Sequence, residues 1–458
     1  MSRSCNAAGQ SMCADVLETT SLAARHPLEF TIQYPPRREY FQNAFRGELD
    51  IESILKAPEL LLYLHIPFCA SKCHYCNFAV DVRANAELHK NYARLLVEQI
   101  KRLDGLLPEN TRVPGIDIGG GTPTILQAGQ LTEILLALKS WGRRAGAPHF
   151  LSVETTPSIA ASHPERLQAL VEGGVERVSM GVQSTTQAVL ADMNRKQQLH
   201  TVDKAAENIR KAGFRRFNAD VIFGLPRQTK HDWAETVRHV ISTGVDSVTT
   251  YDCLYRGKGR RLSEQTSGTP SPDTYGALYD LSYDMLTHAG FHAQYGSVNF
   301  SRIAGETGTS AYFEERLFKH TPYLGVGNYA SSMVGNNWWF APYAVNSWMT
   351  RIEAGEVLPL GDVYTLPALE LMAKQILLSL NFGSIDTVRF ERRFGIAFDA
   401  IYNEAMMFAV GQNWLRKTQN GYAVADGHFK DMHLIRSLFY TRQAVEWLKK
   451  VEQTHTHA

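Results

Sequence analysis

The sequence predicts an α/β fold, a partial (βα)6 barrel followed by a smaller, mainly helical domain of winged-helix character. Two observations predict it. Between Leu61 and Tyr251, short apolar runs alternate with longer stretches whose apolar residues recur at three- and four-residue intervals. Strands alternating with amphipathic helices build βαβ units and a parallel sheet. Beyond about residue 265 the alternation stops and helical periodicity takes over.

Taken in order, residues 1–55 read as an irregular, polar extension punctuated by Pro35-Pro36-Arg37-Arg38. The barrel is assigned to residues 56–265. Its strands read as Leu61–Ile66, Gly115–Ile118, Phe150–Glu154, Arg177–Gly181, Asn218–Phe223 and Ser247–Tyr251, with helices such as Ala86–Leu106 and Gln130–Arg143 between them. Six units suit a partial barrel, and ligand sites in parallel sheets lie at the carboxyl ends of strands.

Residues 266–360 flank the barrel on its substrate side. They open on a Ser/Gly/Pro/Thr-rich loop, Glu264 to Asp273, and a helix through Leu286. A Gly- and aromatic-rich stretch, Tyr323 to Gly335, leads to Trp338, Trp339 and Phe340, aromatics that suit either a flat apolar ring or core packing. Residues 361–458 form the C-terminal domain, helical over Leu366–Leu380 and Phe390–Leu415, with a hairpin turn at Asn420-Gly421-Tyr422. Winged-helix character invites a DNA-binding reading, but no basic recognition stripe is present. A lid or substrate-shaping role fits better.

Composition narrows the function. The 458 residues carry a net charge of +1, too weak a field to imply nucleic-acid binding. The first thirty residues lack an apolar core after a basic start, and no run of eighteen apolar residues occurs, so neither a secretory signal nor a membrane span is expected. Contact with a membrane surface stays open. Six cysteines in so long a chain make no disulfide scaffold, and fit a reducing cytoplasm.

Three of those cysteines carry the chemistry. Cys69, Cys73 and Cys76 follow the first strand in Tyr63-Leu-His-Ile-Pro-Phe-Cys-Ala-Ser-Lys-Cys-His-Tyr-Cys-Asn-Phe78, while Cys5, Cys13 and Cys253 are scattered. Structural zinc wants four ligands, and no second cysteine or histidine pair follows. His74 lies inside the loop and reads as a solvated side chain. Iron–sulfur clusters are held by cysteine thiolates, and three on a four-iron cube leave one iron open. Gly119-Gly-Gly-Thr-Pro-Thr124 follows the second strand and completes neither phosphate-loop pattern. Glu154, Gln183, Arg195 and Asp220 fall at or just beyond later strand ends.

The C-x3-C-x2-C spacing resembles the radical S-adenosylmethionine (SAM) superfamily. Together with Gly-Gly-Gly-Thr-Pro, Ser179-Met-Gly-Val-Gln183, Asn194-Arg195 and Asp220-Val-Ile-Phe-Gly-Leu-Pro226, the Tyr63–Phe78 stretch resembles the oxygen-independent coproporphyrinogen III oxidase family. The similarity is close over residues 60–255 and looser beyond. It implies a [4Fe–4S] cluster on Cys69, Cys73 and Cys76, and two SAM molecules side by side. Tyr63, Gly120 and Glu154 would then contact the cluster-bound SAM, with Tyr75 packing near its adenine. Gly121, Thr122, Gln183, Arg195 and Asp220 would contact the second. A low-potential electron donor such as flavodoxin or ferredoxin is implied as partner.

Within that family the sequence departs in Tyr295–Ser301, Thr309–Arg316 and Tyr251–Arg256, all read as the substrate half of the pocket. An intact two-SAM half with an altered substrate half is similar to the class C methyltransferases. The expectation is therefore a cytoplasmic methyltransferase acting on an sp2 carbon of an apolar aromatic or quinone substrate, menaquinone being the most similar case. The alternatives are tetrapyrrole enzymes, whether porphyrinogen-decarboxylating or haem-opening, and a haem-binding chaperone. Arg25-His-Pro-Leu-Glu-Phe30 resembles the entry segment of the haem-opening members.

Overall fold

The computed structural model describes residues 14–31, 34–35, 38–83, 85–139, 141, 150–253, 255 and 269–456. Cys5, Cys13, Arg143, Arg256 and the first part of the loop that opens at Glu264 lie outside them. The six expected strands are present as β1 (Leu61–Ile66), β2 (Gly115–Gly120), β3 (Phe150–Thr155), β4 (Val175–Gln183), β5 (Arg216–Phe223) and β6 (Ser247–Asp252). They lie in sequence order in one sheet, each parallel to its neighbour.

The sheet is wider than the sequence suggested. Strand β7 (Asn299–Ser301) pairs antiparallel with β6 at one edge. At the other edge β8 (Tyr323–Val326) runs parallel to β1, and β9 (Ser331–Val334), β10 (Asn337–Phe340) and β11 (Val363–Thr365) continue antiparallel. The aromatics of this stretch are core: Trp338 is 8% and Trp339 2% exposed, and Trp338 packs on Phe41 at 5.0 Å. Core packing, not a flat ligand, explains them.

Helices cover the outer face because the outward sides of the strands are largely apolar. Leu62, Leu64 and Ile66 of β1 are buried against helix Ala86–Leu106, which Asn85 caps by accepting from the Glu87 and Leu88 amides. From that helix Gln99 Oε1 accepts from the Gly327 amide at 3.0 Å and the Trp348 indole at 3.2 Å. One buried glutamine thus ties β1's helix to the strand that flanks β1.

Two expectations need correction. Residues 1–55 are not irregular throughout: helices run over Val16–Arg25, Arg38–Ala44 and Ile51–Leu55. They are short, and the buried face of the first includes Thr19 and Thr20, which blurs its apolar period. The stretch Phe390–Leu415 is likewise broken. Gly395 adopts φ 66° and ends helix Thr387–Phe394, helix Asp399–Gly411 follows, and Leu415 opens β13 (Leu415–Thr418). With β12 (Ser384–Asp386) and β14 (Gly421–Val424) it forms a three-stranded wing, so the C-terminal region is mostly helical with the expected hairpin. No helix among the described residues is long and apolar enough to cross a membrane.

The amino-terminal segment is locked to the C-terminal helices by one buried carboxylate. Glu370, 2% exposed, accepts from the Tyr34 hydroxyl at 2.5 Å, the Tyr40 hydroxyl at 2.8 Å and the Thr441 hydroxyl at 2.7 Å. Burial raises its pKa, while these three donors pull the other way. Glu370→Ala would leave three buried hydroxyls without their acceptor, so denaturant unfolding should show a loss of about 3 kcal/mol. Glu52→Ala, at an exposed ion pair, should stay within about 0.5 kcal/mol.

Candidate active site

The barrel is hollow, and the burial pattern shows it. On β1, β2 and β5 the outward residues are fully buried, whereas the inward Tyr63, Asp117 and Asp220 are only half-buried. The lumen they face is polar. Tyr63 pairs with Asp117, Asp117 with Ser152 and Ser152 with Arg177, a ring across four strands. Nearer the carboxyl ends, Glu154, Ser179 and Asn218 form the next layer, and Asp220 lies beside Gly181.

Hydrogen bonds hold most of this lining. Ser179 donates to Asp220 Oδ2 at 2.7 Å and Asn218 to Oδ1 at 2.9 Å. Ser310 donates to Asp117 Oδ2 at 2.7 Å, while Asp117 Oδ1 has no partner. Arg177 donates to Ser152 Oγ at 3.2 Å and to the Gly308 carbonyl at 3.3 Å. Glu154 accepts only the Gly120 amide, at 3.3 Å, although its side chain is open to the lumen.

Enclosure by protein raises the acids. Glu154 is pushed up to about 8, by burial first and then by the charges of Asp220 and Asp117. Asp117 rises to about 6 through burial, held back by Ser310, Arg177 and Arg316. Asp220 is raised by burial against the pull of Ser179 and Arg177.

The cysteine loop sits over this lumen, pinned at both feet. The Gly121 amide donates to the Ile66 carbonyl and the Thr122 amide to the Phe68 carbonyl, each at 2.8 Å. His65, 3% exposed, donates from Nε2 to the Ala79 carbonyl at 3.1 Å, and burial lowers its pKa to about 4, so the ring is neutral. These contacts need the glycine run. Gly120 has φ 112°, and a Cβ there would fall 2.6 Å from the His65 ring. A Cβ on Gly119 would meet Glu154 Oε1 at 2.8 Å.

The middle of the loop is clasped by residues 192–195. His74 donates from its backbone to Met193 and from Nδ1 to the Asp192 carbonyl at 2.7 Å, so it is an anchor and not a ligand. Asn194 donates to the Lys72 carbonyl at 3.0 Å. Arg195 reaches Tyr75 Oη at 3.1 Å, Cys73 Sγ at 3.7 Å, Gln197 Oε1 at 2.9 Å and the Gly181 carbonyl. Tyr75 packs with Leu28, Ile222, Cys253 and Tyr255 in a small apolar cluster. Gln183 stands in the left-handed region at φ 68° with its buried Oε1 unpartnered. A strained residue holding an orphaned polar atom beside the cysteine loop marks a place where a ligand completes the bonding.

The site fits a cluster better than a single ion. Among the described residues no group of three or more His, Cys, Asp or Glu converges closely enough to hold one metal ion. A cube takes each thiolate on a different iron and needs a looser set. Cys69, Cys73 and Cys76 are unpaired, half-buried and near enough to influence one another's ionisation. Burial pushes the Cys69 thiol up to about 11, despite a hydroxyl at 3.4 Å from Thr122, and raises Cys76. The Arg195 cation opposes that cost, and the iron of a bound cluster would oppose it further. Cys253 is buried in the apolar cluster and pushed up to about 12, remote from this role.

The structure gathers all the expected residues on one side: Tyr63, Glu154 and Asp220 in the lumen, and Tyr75, Gly120, Gly121, Thr122, Gln183 and Arg195 around the loop. Sequence reading missed His65, Asp117, Arg177 and Ser310. Strand alternation could have found the first three, since each sits two residues from an inward position; Ser310 arrives from a distant loop and left no signal.

Residues 63–240 match the Radical SAM superfamily, so the chain carries a radical SAM domain, with the [4Fe–4S] cluster and SAM that this domain implies. The more particular kinship is with oxygen-independent coproporphyrinogen III oxidases and the haem chaperone HemW. The chain is 30% identical over 270 residues to the oxygen-independent coproporphyrinogen III oxidase of Cereibacter sphaeroides, a match spanning 58% of this chain and 59% of that one. It is 25% identical over 372 residues to the haem chaperone HemW of Lactococcus lactis, covering 80% and 94%. Its fold is that of coproporphyrinogen III oxidase (HemN) from Escherichia coli, with a TM-score of 0.74 over 91% of this chain and 98% of that one at 21% identity.

These relatives overturn the methyltransferase expectation, and menaquinone with it: they are named as coproporphyrinogen III oxidases and haem chaperones. The physical reason for the error is visible. The departures read as an altered substrate pocket fall largely on packing residues. Val298 is 4% and Ser301 1% exposed, a Cβ on Gly296 would meet the Val424 side chain at 2.9 Å, and the Thr309–Arg316 stretch caps the foot of β2 through Ser310 and Tyr312. Changes at such positions report repacking and carry little about substrate.

Two measurements follow. Anaerobically reconstituted protein should lose its iron and sulfide when Cys69, Cys73 or Cys76 becomes Ala and keep them in Cys253→Ala; metal content unchanged in the first three would exclude the cluster. The second concerns Glu154 in cofactor-free protein. Its pKa is about 8 folded and 4.5 for a free glutamate side chain, so the folded state holds the proton more tightly. The stability it contributes is full below about pH 4.5 and is lost as pH rises through about 8. Glu154→Gln, which cannot ionise, should be progressively more stable than the parent as pH rises across that window, read as the difference in melting temperature.

Proposed function

We propose that this chain is a radical SAM protein of tetrapyrrole chemistry, and that its reaction is the oxidative decarboxylation of a porphyrinogen of the coproporphyrinogen III type. The observation that carries this reading is that the relatives' names point to tetrapyrroles, with matches running well beyond the radical SAM domain. The geometry is consistent with it. Glu154 and Gly120 would hold the amino end of a SAM bound at the cluster, with Tyr63 beneath. Gly121, Thr122, Gln183, Arg195 and Asp220 would line a second SAM. When bound, the cluster and SAM supply an electron and a carbon radical able to abstract hydrogen.

The chain's own residues do the rest. Arg195 balances the negative charge of the loop thiolates while fixing Tyr75. Glu154, with a pKa near 8, holds or yields a proton close to neutral pH. Arg177, half-buried among Asp117, Glu154 and Asp220, is the lumen cation suited to a substrate carboxylate. The reductant would be a low-potential donor such as flavodoxin or ferredoxin. Phe78 and Val82, 54% and 48% exposed beside the cysteine loop, offer it an apolar landing point.

A second reading, the haem chaperone, is favoured by one observation: the match to HemW of Lactococcus lactis covers 94% of that protein. One experiment separates them. Reduced, cluster-loaded protein is incubated anaerobically with SAM and either coproporphyrinogen III or haem. The oxidase should release carbon dioxide and 5′-deoxyadenosine in step with porphyrinogen consumption, and Asp220→Ala should slow this by about a hundredfold through misplacement. The chaperone should bind haem stoichiometrically and form no substrate-dependent product. Neither turnover nor haem binding would refute the tetrapyrrole reading.

A further inference from the structure

The opposite end of the barrel carries a second cavity. Leu61, the first residue of β1, pairs with Tyr323, and β1 then rises roughly 16 Å before the cysteine loop begins. Around Tyr323 a recess of about 660 Å3 opens between the start of β8, the end of β9 and the helices Ala368–Ser379 and Thr387–Phe394. Nothing in the radical chemistry uses it.

Its lining is one-sided in charge. Arg316, Lys374, Arg389, Arg392 and Arg393 all face it, and no aspartate or glutamate lines it. Arg389 is paired with Asp386 at 3.1 Å, and Lys319 on the rim with Glu315. Among the described residues, Arg316, Arg392 and Arg393 form no salt bridge with any carboxylate. Arg316 lies instead over the Tyr323 ring at 4.3 Å. Lys374, 8% exposed, lies over the Trp338 ring at 4.3 Å, and its pKa falls to about 7 through burial and the Arg316 charge. His320 is driven to about 3 by burial and then by Arg393 and Arg389.

Two polar atoms complete the picture. The Tyr323 hydroxyl, on a residue 3% exposed, and Gln375 Oε1 are both buried without a partner. Buried polar atoms are rarely left so, and cations gathered in one recess with no carboxylate on its lining repel each other. The floor between the charges is apolar, formed by Phe318, Met333 and Leu378.

We propose that this recess binds a small organic anion bearing at least two carboxylate or phosphate groups on an apolar body. The guanidinium groups of Arg316, Arg392 and Arg393 suit bidentate pairing with either group, and the Tyr323 hydroxyl adds a donor. The volume lies within the range of small-molecule pockets. The charges line a concavity between two layers rather than a convex stripe, which suits a compact ligand. A molecule held there bridges the β8–β9 face to the C-terminal domain. Its anionic groups could belong to a carboxylated tetrapyrrole or to a nucleotide, and the test distinguishes these.

Cluster-loaded full-length protein is titrated calorimetrically with coproporphyrin I, which presents carboxylates, and separately with ADP, which presents phosphates. At least one should bind, and the one that does names the group. Arg392→Glu with Arg393→Glu, both on the exposed rim, should weaken that binding at least tenfold, while Arg392→Lys with Arg393→Lys should retain most of it. Cluster-free Cys69→Ala protein should bind as the parent does, whatever its activity toward porphyrinogen. Failure of both probes to bind, binding that survives charge reversal, or binding lost with the cluster would each overturn the proposal.

Discussion

The contact on which this molecule depends is the backbone of Gly120 pressed against the imidazole of His65. A side chain at Gly120 would occupy the ring's own space, and its positive φ turns the chain back toward β1. That approach lets the Gly121 and Thr122 amides reach the Ile66 and Phe68 carbonyls and so fixes the near foot of the cysteine loop. The same imidazole fixes the far foot through Ala79, and Tyr92 in turn donates to the His65 carbonyl at 2.8 Å. Three thiols are thereby presented by a loop with little freedom of its own, which is what a cluster with one open iron requires.

The second constraint is the emptiness of the barrel. A packed barrel interior would be filled by branched apolar side chains. Here alternate inward positions carry Tyr63, Asp117, Glu154, Arg177 and Asp220, several with raised pKa values because they are enclosed yet incompletely paired. Such an interior lowers the stability of the empty protein and is the usual cost of a site prepared for a charged ligand.

Much of this was legible in the sequence because it rests on local pattern. The six central strands and helix Ala86–Leu106 are periodic, and the cysteine spacing with its neighbouring Gly-Gly-Gly-Thr-Pro turn is confined to single loops. What escaped reading depends on partners far apart in the chain. Strands β8 to β11 are short and make sense only once β1 accepts β8 beside it. The helix at Val16 is buried partly through threonines. Ser310 meets Asp117 across a separation of 193 residues. The substrate was misread for a related reason: Gly296, Val298 and Ser301 differ from the family pattern at buried positions, and sequence alone cannot tell a packing residue from one that touches a ligand.

The parallel pairing of β8 with β1 has a consequence for biosynthesis. Tyr323 follows its partner Leu61 only after some 260 further residues have been made, and Tyr34 waits for Thr441, 407 positions later. A growing chain therefore exposes its thiol loop long before the edge beside β1 can close or the amino-terminal segment can dock. Loop closure over such separations is slow. The thiols spend that interval accessible to whatever delivers iron and sulfide, and sealing of the protein around them comes last.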